Sequence, residues 1–165
     1  MKYDDKIAKG KRIFYENYGN HFSIAMNYGE KEYKRLKVPI ALEKEWQNDI
    51  KNKYLQLIYS HKCAEQYKYV LIYIDLISPE QTVEFLEELL RYPMDSFTRL
   101  LYCELIKDAI KHIKLLSAKA HAQLVLEQNK EKLLSSDIII DEKYKYDMQK
   151  FNYEWSKVPL RIQNL

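Results

Sequence analysis

Glycine is nearly absent from this chain: Gly10, Gly19 and Gly29 are its three glycines, all within the first 29 positions, and its prolines are Pro39, Pro79, Pro93 and Pro159. A β-sandwich or barrel needs turn signals at intervals of roughly 8–12 residues. Such spacing is missing, which excludes those folds and leaves long uninterrupted helices. Apolar runs are short as well. The longest, Tyr69 to Ile77, is broken by Asp75 and falls well below the ~20 residues of a membrane span. Arginine is scarce, 5 residues against 22 lysines, and this argues against a nucleic-acid groove built on bidentate guanidinium contacts. The two cysteines, Cys63 and Cys103, sit in apolar helical patterns and read as free buried thiols.

The usual local signatures of chemistry are missing too. No glycine-rich loop precedes a Lys-Ser or Lys-Thr pair. His61-Lys62-Cys63 has the wrong offset for zinc, and no glutamate is followed three positions on by a histidine, as a di-iron bundle requires. No cofactor and no metal are implied.

What is present is helical periodicity. A first helix is predicted from about Asp5 to Tyr18, with Ile7, Phe14 and Tyr18 on one face and Gly19 at the left-handed stop position. The glycine-framed stretch Asn20 to Tyr28 carries no charged side chain and reads as the least regular segment, a loop. A short helix from Glu30 to about Lys37 ends at Val38-Pro39. Pro39 then opens a helix to about Ser60 carrying Leu42, Trp46, Ile50, Tyr54, Leu57 and Ile58 at 3-to-4 spacing. Lys62 to Ile77 favours a helix with Ala64, Tyr67, Leu71, Ile74 and Ile77 inward, with a strand over Tyr67–Ile74 as the competing reading.

Ser78-Pro79-Glu80-Gln81 is a capping box; the helix it opens carries Val83, Leu86, Leu89 and Leu90 inward and stops before Pro93. Asp95 or Ser96 caps the next, with Phe97, Leu101, Leu105, Ile110 and Ile113. Asp95 to Leu134 holds no glycine or proline, and one rod of about forty residues would extend ~60 Å, so a turn is expected near Leu116–Ala120. A helix from about His121 to Leu134 then buries Leu124, Val125 and Leu133. A last helix from Asp141 to about Lys157, with Met148, Phe151 and Trp155 inward, is ended by Pro159, leaving the tail from Leu160 extended. These elements amount to a single all-α domain over residues 1–165, seven to eight helices in an array or bundle of antiparallel pairs.

Function is far less legible. Glu104, Asp108 and His112 share a helix stripe, but Lys107, Lys111 and Lys114 flank them, as on a solvated face. Residues Met1 to Lys62 hold 13 basic and 8 acidic side chains, whereas Cys63 to Arg91 hold 2 and 6. A basic third beside an acidic segment suits the steering of an acidic protein partner, or self-association. His21, Phe22, Met26 and Tyr28, in the glycine-framed stretch, with Lys34 and Lys37 after it, are the local concentration of interaction chemistry. A core-plugging loop that docks Phe22, Ile24 and Met26 explains the same residues more simply and is the favoured account of this stretch. The favoured reading is a non-enzymatic protein-binding module of a bacterial cytoplasm, an adaptor or an immunity- or antitoxin-like protein. A cytoplasmic location fits the charged start Met1-Lys2-Tyr3-Asp4-Asp5, which has no apolar leader. The alternatives are an enzyme or small-ligand-binding protein in which His21, Glu45, His112 or His121 converge in a pocket between helices, and a helical nucleic-acid-binding protein.

Overall fold

The structure, a computed structural model, describes residues 2–135 and 157–165. It is all-α, with antiparallel helix pairs and no strand among the described residues. The helices are α1 (Tyr3–Glu16), α2 (His21–Asn27), α3 (Glu30–Lys34), α4 (Ile40–Ser60), α5 (Cys63–Ile74), α6 (Pro79–Leu90), α7 (Ser96–Ile110), α8 (Leu116–Leu134) and α9 (Val158–Gln163). No described helix is long and apolar enough to cross a membrane. The fold divides into two compact units, Met1–Ser60 with Tyr69–Leu76, and His61–Lys68 with Ile77–Leu165.

In the first unit, α1 and α4 pack together and α2 lies against both α1 and α3. Ile13 and Phe14 from α1, Ile24 from α2, Tyr33 and Leu36 around α3, and Trp46, Ile50 and Tyr54 from α4 form its core with Leu76. The periodicity read along α4 is realised: Trp46, Ile50, Tyr54 and Ile58 are its buried positions. Gly10 leaves room for the Val38 side chain, because a Cβ there would lie 2.5 Å from Val38 Cγ2. Gly19, at φ 69°, turns the chain after α1 and donates its N–H to the Phe14 carbonyl at 2.8 Å.

The stretch 20–28 is not a loop. Asn20 accepts hydrogen bonds from the backbone N–H groups of Phe22 and Ser23 and so starts α2; an N-cap satisfies donors that would otherwise be orphaned. Absence of charge had marked this stretch as irregular, whereas the capping asparagine decides its conformation. Its burial also departs from the core-plugging reading, for Ile24 alone is buried while Phe22 and Met26 are 74% and 72% exposed.

In the second unit α6, α7 and α8 pack in succession. The Ser78 capping box forms in both directions, with Gln81 N–H donating to Ser78 Oγ at 3.2 Å and Ser78 N–H to Gln81 Oε1 at 3.1 Å. Asp95 caps α7 through the Thr98 N–H at 2.9 Å. Buried Asn129 accepts from Arg99 at 2.7 Å and donates to the Val125 carbonyl at 2.9 Å, giving a polar group in the helix interface two partners. Tyr102, fully buried, donates to Gln66 Oε1 at 2.6 Å.

Further expectations are corrected. The helix favoured over 67–74 is present, but Leu71, expected inward, is exposed, and Val70 is the buried position. The turn after α7 comes before Leu116, because Leu116 already opens α8; the alanines at 118, 120 and 122 favour helix, and Ile113 is buried in the connection. On α8 the inward stripe is Ala122, Val125, Leu126, Asn129 and Leu133, one position round from Leu124, which is 52% exposed. The tail is helical: Pro159 sits in the first turn of α9, where a missing N–H costs nothing, and Val158 and Ile162 are buried. Arg161 grips Glu104 with two hydrogen bonds, of 2.7 and 2.5 Å, and lies 5.3 Å from the Phe97 ring centre, so Glu104 is not part of a merely solvated stripe. The helix expected over Asp141–Lys157, with Met148, Phe151 and Trp155, lies outside the described residues but for its last position.

Candidate functional site

The six residues singled out in the sequence all fall in the first unit, and the structure sorts them onto different surfaces. On a helix, residues three apart share a side, and Phe22 and Met26, four apart, share another. The His21–Ile24 side and the Phe22–Met26 side of α2 are about 150° apart around the axis. Ile24 and His21 face a pocket; Phe22 and Met26 point away from it into solvent. Tyr28, half-buried, carries the Lys9 ammonium 5.6 Å from its ring centre.

The pocket encloses about 460 Å³, within the range of small-molecule sites. Ile24 and Val38 supply apolar wall, and His21, Tyr33 and Glu43 meet on one part of it. The His21 ring stands edge-on to Phe14 at 5.9 Å and to Tyr33 at 6.0 Å between ring centres, and its Nε2 lies 3.4 Å from Glu43 Oε2. The Glu43 side chain is 17% exposed. Tyr33 is buried, and its hydroxyl, which faces the Glu43 carboxylate, makes no hydrogen bond of good geometry; a buried polar group left short of a partner costs up to about 1–3 kcal/mol. Burial first, then hydrogen bonding to the Glu43 carboxylate that the hydroxyl faces, and then the charge of that carboxylate, keep the proton on Tyr33 and push its pKa well up.

Two lysines and a further glutamate complete the charge of the pocket. Lys34 pairs with Glu30 four residues earlier, and both side chains are exposed, so the pair stabilises little. Lys37 sits at the end of the turn after α3 in a left-handed conformation, φ 53°, uncommon for a residue with a Cβ. Its ammonium forms no ion pair among the described residues.

Comparison with protein-family models, with curated proteins and with solved structures finds no match. The site is therefore read from its own geometry. Of the residues proposed to converge in a pocket, His21 does so, with Glu43 rather than Glu45 as its carboxylate; His112 and His121 belong to the second unit, where His121 Nε2 lies 2.8 Å from Glu87. Tyr33 and Glu43 were missed in the sequence because nothing local marks them. Each looks like an ordinary helix residue until α3 and the start of α4 are brought beside α2. Cys103 is fully buried, and burial pushes its thiol up to about 12, far from the thiolate a nucleophile needs. Among the described residues no three His, Cys, Asp or Glu side chains gather as a metal site.

Proposed function

We propose that the first unit is a non-enzymatic docking module for an acidic protein partner, of the adaptor or immunity-protein kind, and that the outward face of α2 is its contact surface. The observation that carries this reading is the pair Phe22 and Met26, large apolar side chains one turn apart and 74% and 72% exposed. Apolar and aromatic side chains that leave water on association supply most of the energy of an interface. The partner's acidity follows from exposed basic charge in the same unit. Lys31 and Arg35, one turn apart on α3 and its end, are exposed and form no ion pair among the described residues. Lys34 is engaged by Glu30, and Lys37 borders the pocket, which favours Lys31 and Arg35 as the steering charges of this proposal.

The test is affinity capture from native lysate on the immobilised protein, comparing the natural chain with Phe22→Ala/Met26→Ala and with His121→Ala as a control in the second unit. The expected result is one acidic protein held by the natural chain and the control and lost from the double variant at unchanged melting temperature. Equal retention by the double variant, or no discrete protein retained at all, overturns the reading.

A further inference from the structure

We infer that the pocket on the inner side of α2 is a binding site for a small zwitterion of the free amino-acid type, independent of the docking face on the outer side. Four features of the pocket carry this. Its wall holds two lysines, Lys34 and Lys37, and two glutamates, Glu30 and Glu43; a charge-balanced wall disfavours a multiply charged ligand such as a phosphate ester and suits one carrying both signs. Lys37 has no partner among the described residues and is free to meet a carboxylate. The Tyr33 hydroxyl is buried and makes no hydrogen bond of good geometry, and Glu43, held at one oxygen by His21, has acceptor capacity left for an ammonium. Ile24 and Val38 leave an apolar surface for the ligand's side chain.

A buried polar group without a well-formed hydrogen bond is rare in folded proteins, and here it lines a cavity with room for a ligand. When the zwitterion is bound, the Tyr33 hydroxyl gains the well-formed hydrogen bond it lacks, the ammonium lies against Glu43, and the carboxylate lies against Lys37. Leucine fits the apolar wall best among simple probes.

Calorimetric titration of the full chain with leucine, N-acetyl-leucine and leucinamide tests this. Leucine is expected to bind, and each blocked form to bind about tenfold or more weakly, the ratio equivalent to one lost charged contact. Glu43→Gln and Lys37→Met should each weaken leucine to a similar degree. Tyr33→Phe should weaken it too, while the ligand-free variant melts no lower than the natural protein, because a hydroxyl short of a well-formed hydrogen bond is removed. Absence of heat with leucine and with the other standard amino acids at millimolar concentration overturns the inference. So does leucinamide binding as well as leucine, which would indicate a peptide N-terminus, or N-acetyl-leucine doing so, which would indicate a simple carboxylate. Unchanged leucine affinity in Glu43→Gln and Lys37→Met places any binding elsewhere and overturns it as well.

Discussion

At the scale of single residues, Trp46 and Tyr33 show the difference between positions that hold the first unit together and positions that strain it. Trp46 is 3% exposed and its ring meets Phe14 edge-on at 5.8 Å between centres; its place in the core follows from the spacing with Leu42 and Ile50 alone. Trp46→Ala should lower stability by about 3–5 kcal/mol in a denaturant titration, the cost of removing a large buried aromatic, and a loss below about 1 kcal/mol would mean the indole is not packed. Tyr33 is as deeply buried, yet its hydroxyl makes no hydrogen bond of good geometry, and no pattern of apolar residues foretells a polar atom left short of a partner. Burial of a side chain is legible in periodicity. Convergence of Tyr33 with His21 and Glu43 depends on three helices meeting.

At the scale of elements, caps carried more information than composition. Ser78, Pro79 and Gln81 announce α6, and their reciprocal hydrogen bonds form as the motif requires. Ser78→Ala should therefore cost about 1 kcal/mol, read as a lower midpoint in urea with an unchanged slope; a change within about 0.3 kcal/mol would show that the cap is dispensable. Asn20 is the same kind of signal, and giving its side chain the weight given to Ser78 would have identified α2. On α8 Val125 and Leu133 are buried as the spacing predicts, while Leu124, expected inward, is exposed: it is as apolar as Val125 and Leu126, so hydrophobicity cannot choose among three adjacent apolar positions. α9 was hidden by the opposite meaning of proline at a helix end and in its first turn.

At the scale of the whole molecule, the fold class was legible because scarcity of glycine and proline constrains every segment at once. The proposed function is narrowed by the sequence only to a region. The excess of positive charge over the first 62 residues and the cluster around Asn20–Tyr28 pointed to the first unit, but could not reveal that α2 divides that cluster into an outward apolar face and an inward pocket. In the proposed docking, the outward face is the anchor and Lys31 and Arg35 are the steering charges, two roles that separate in time. Association and dissociation rates of the captured acidic partner, measured by surface plasmon resonance, test this most directly. Lys31→Glu/Arg35→Glu should slow association by about tenfold and flatten its salt dependence with little change in dissociation, whereas Phe22→Ala/Met26→Ala should speed dissociation by about tenfold or more with little change in association. If both variants keep the natural rates, or if the apolar pair governs association and the charges govern dissociation, the outward face of α2 is not the docking surface.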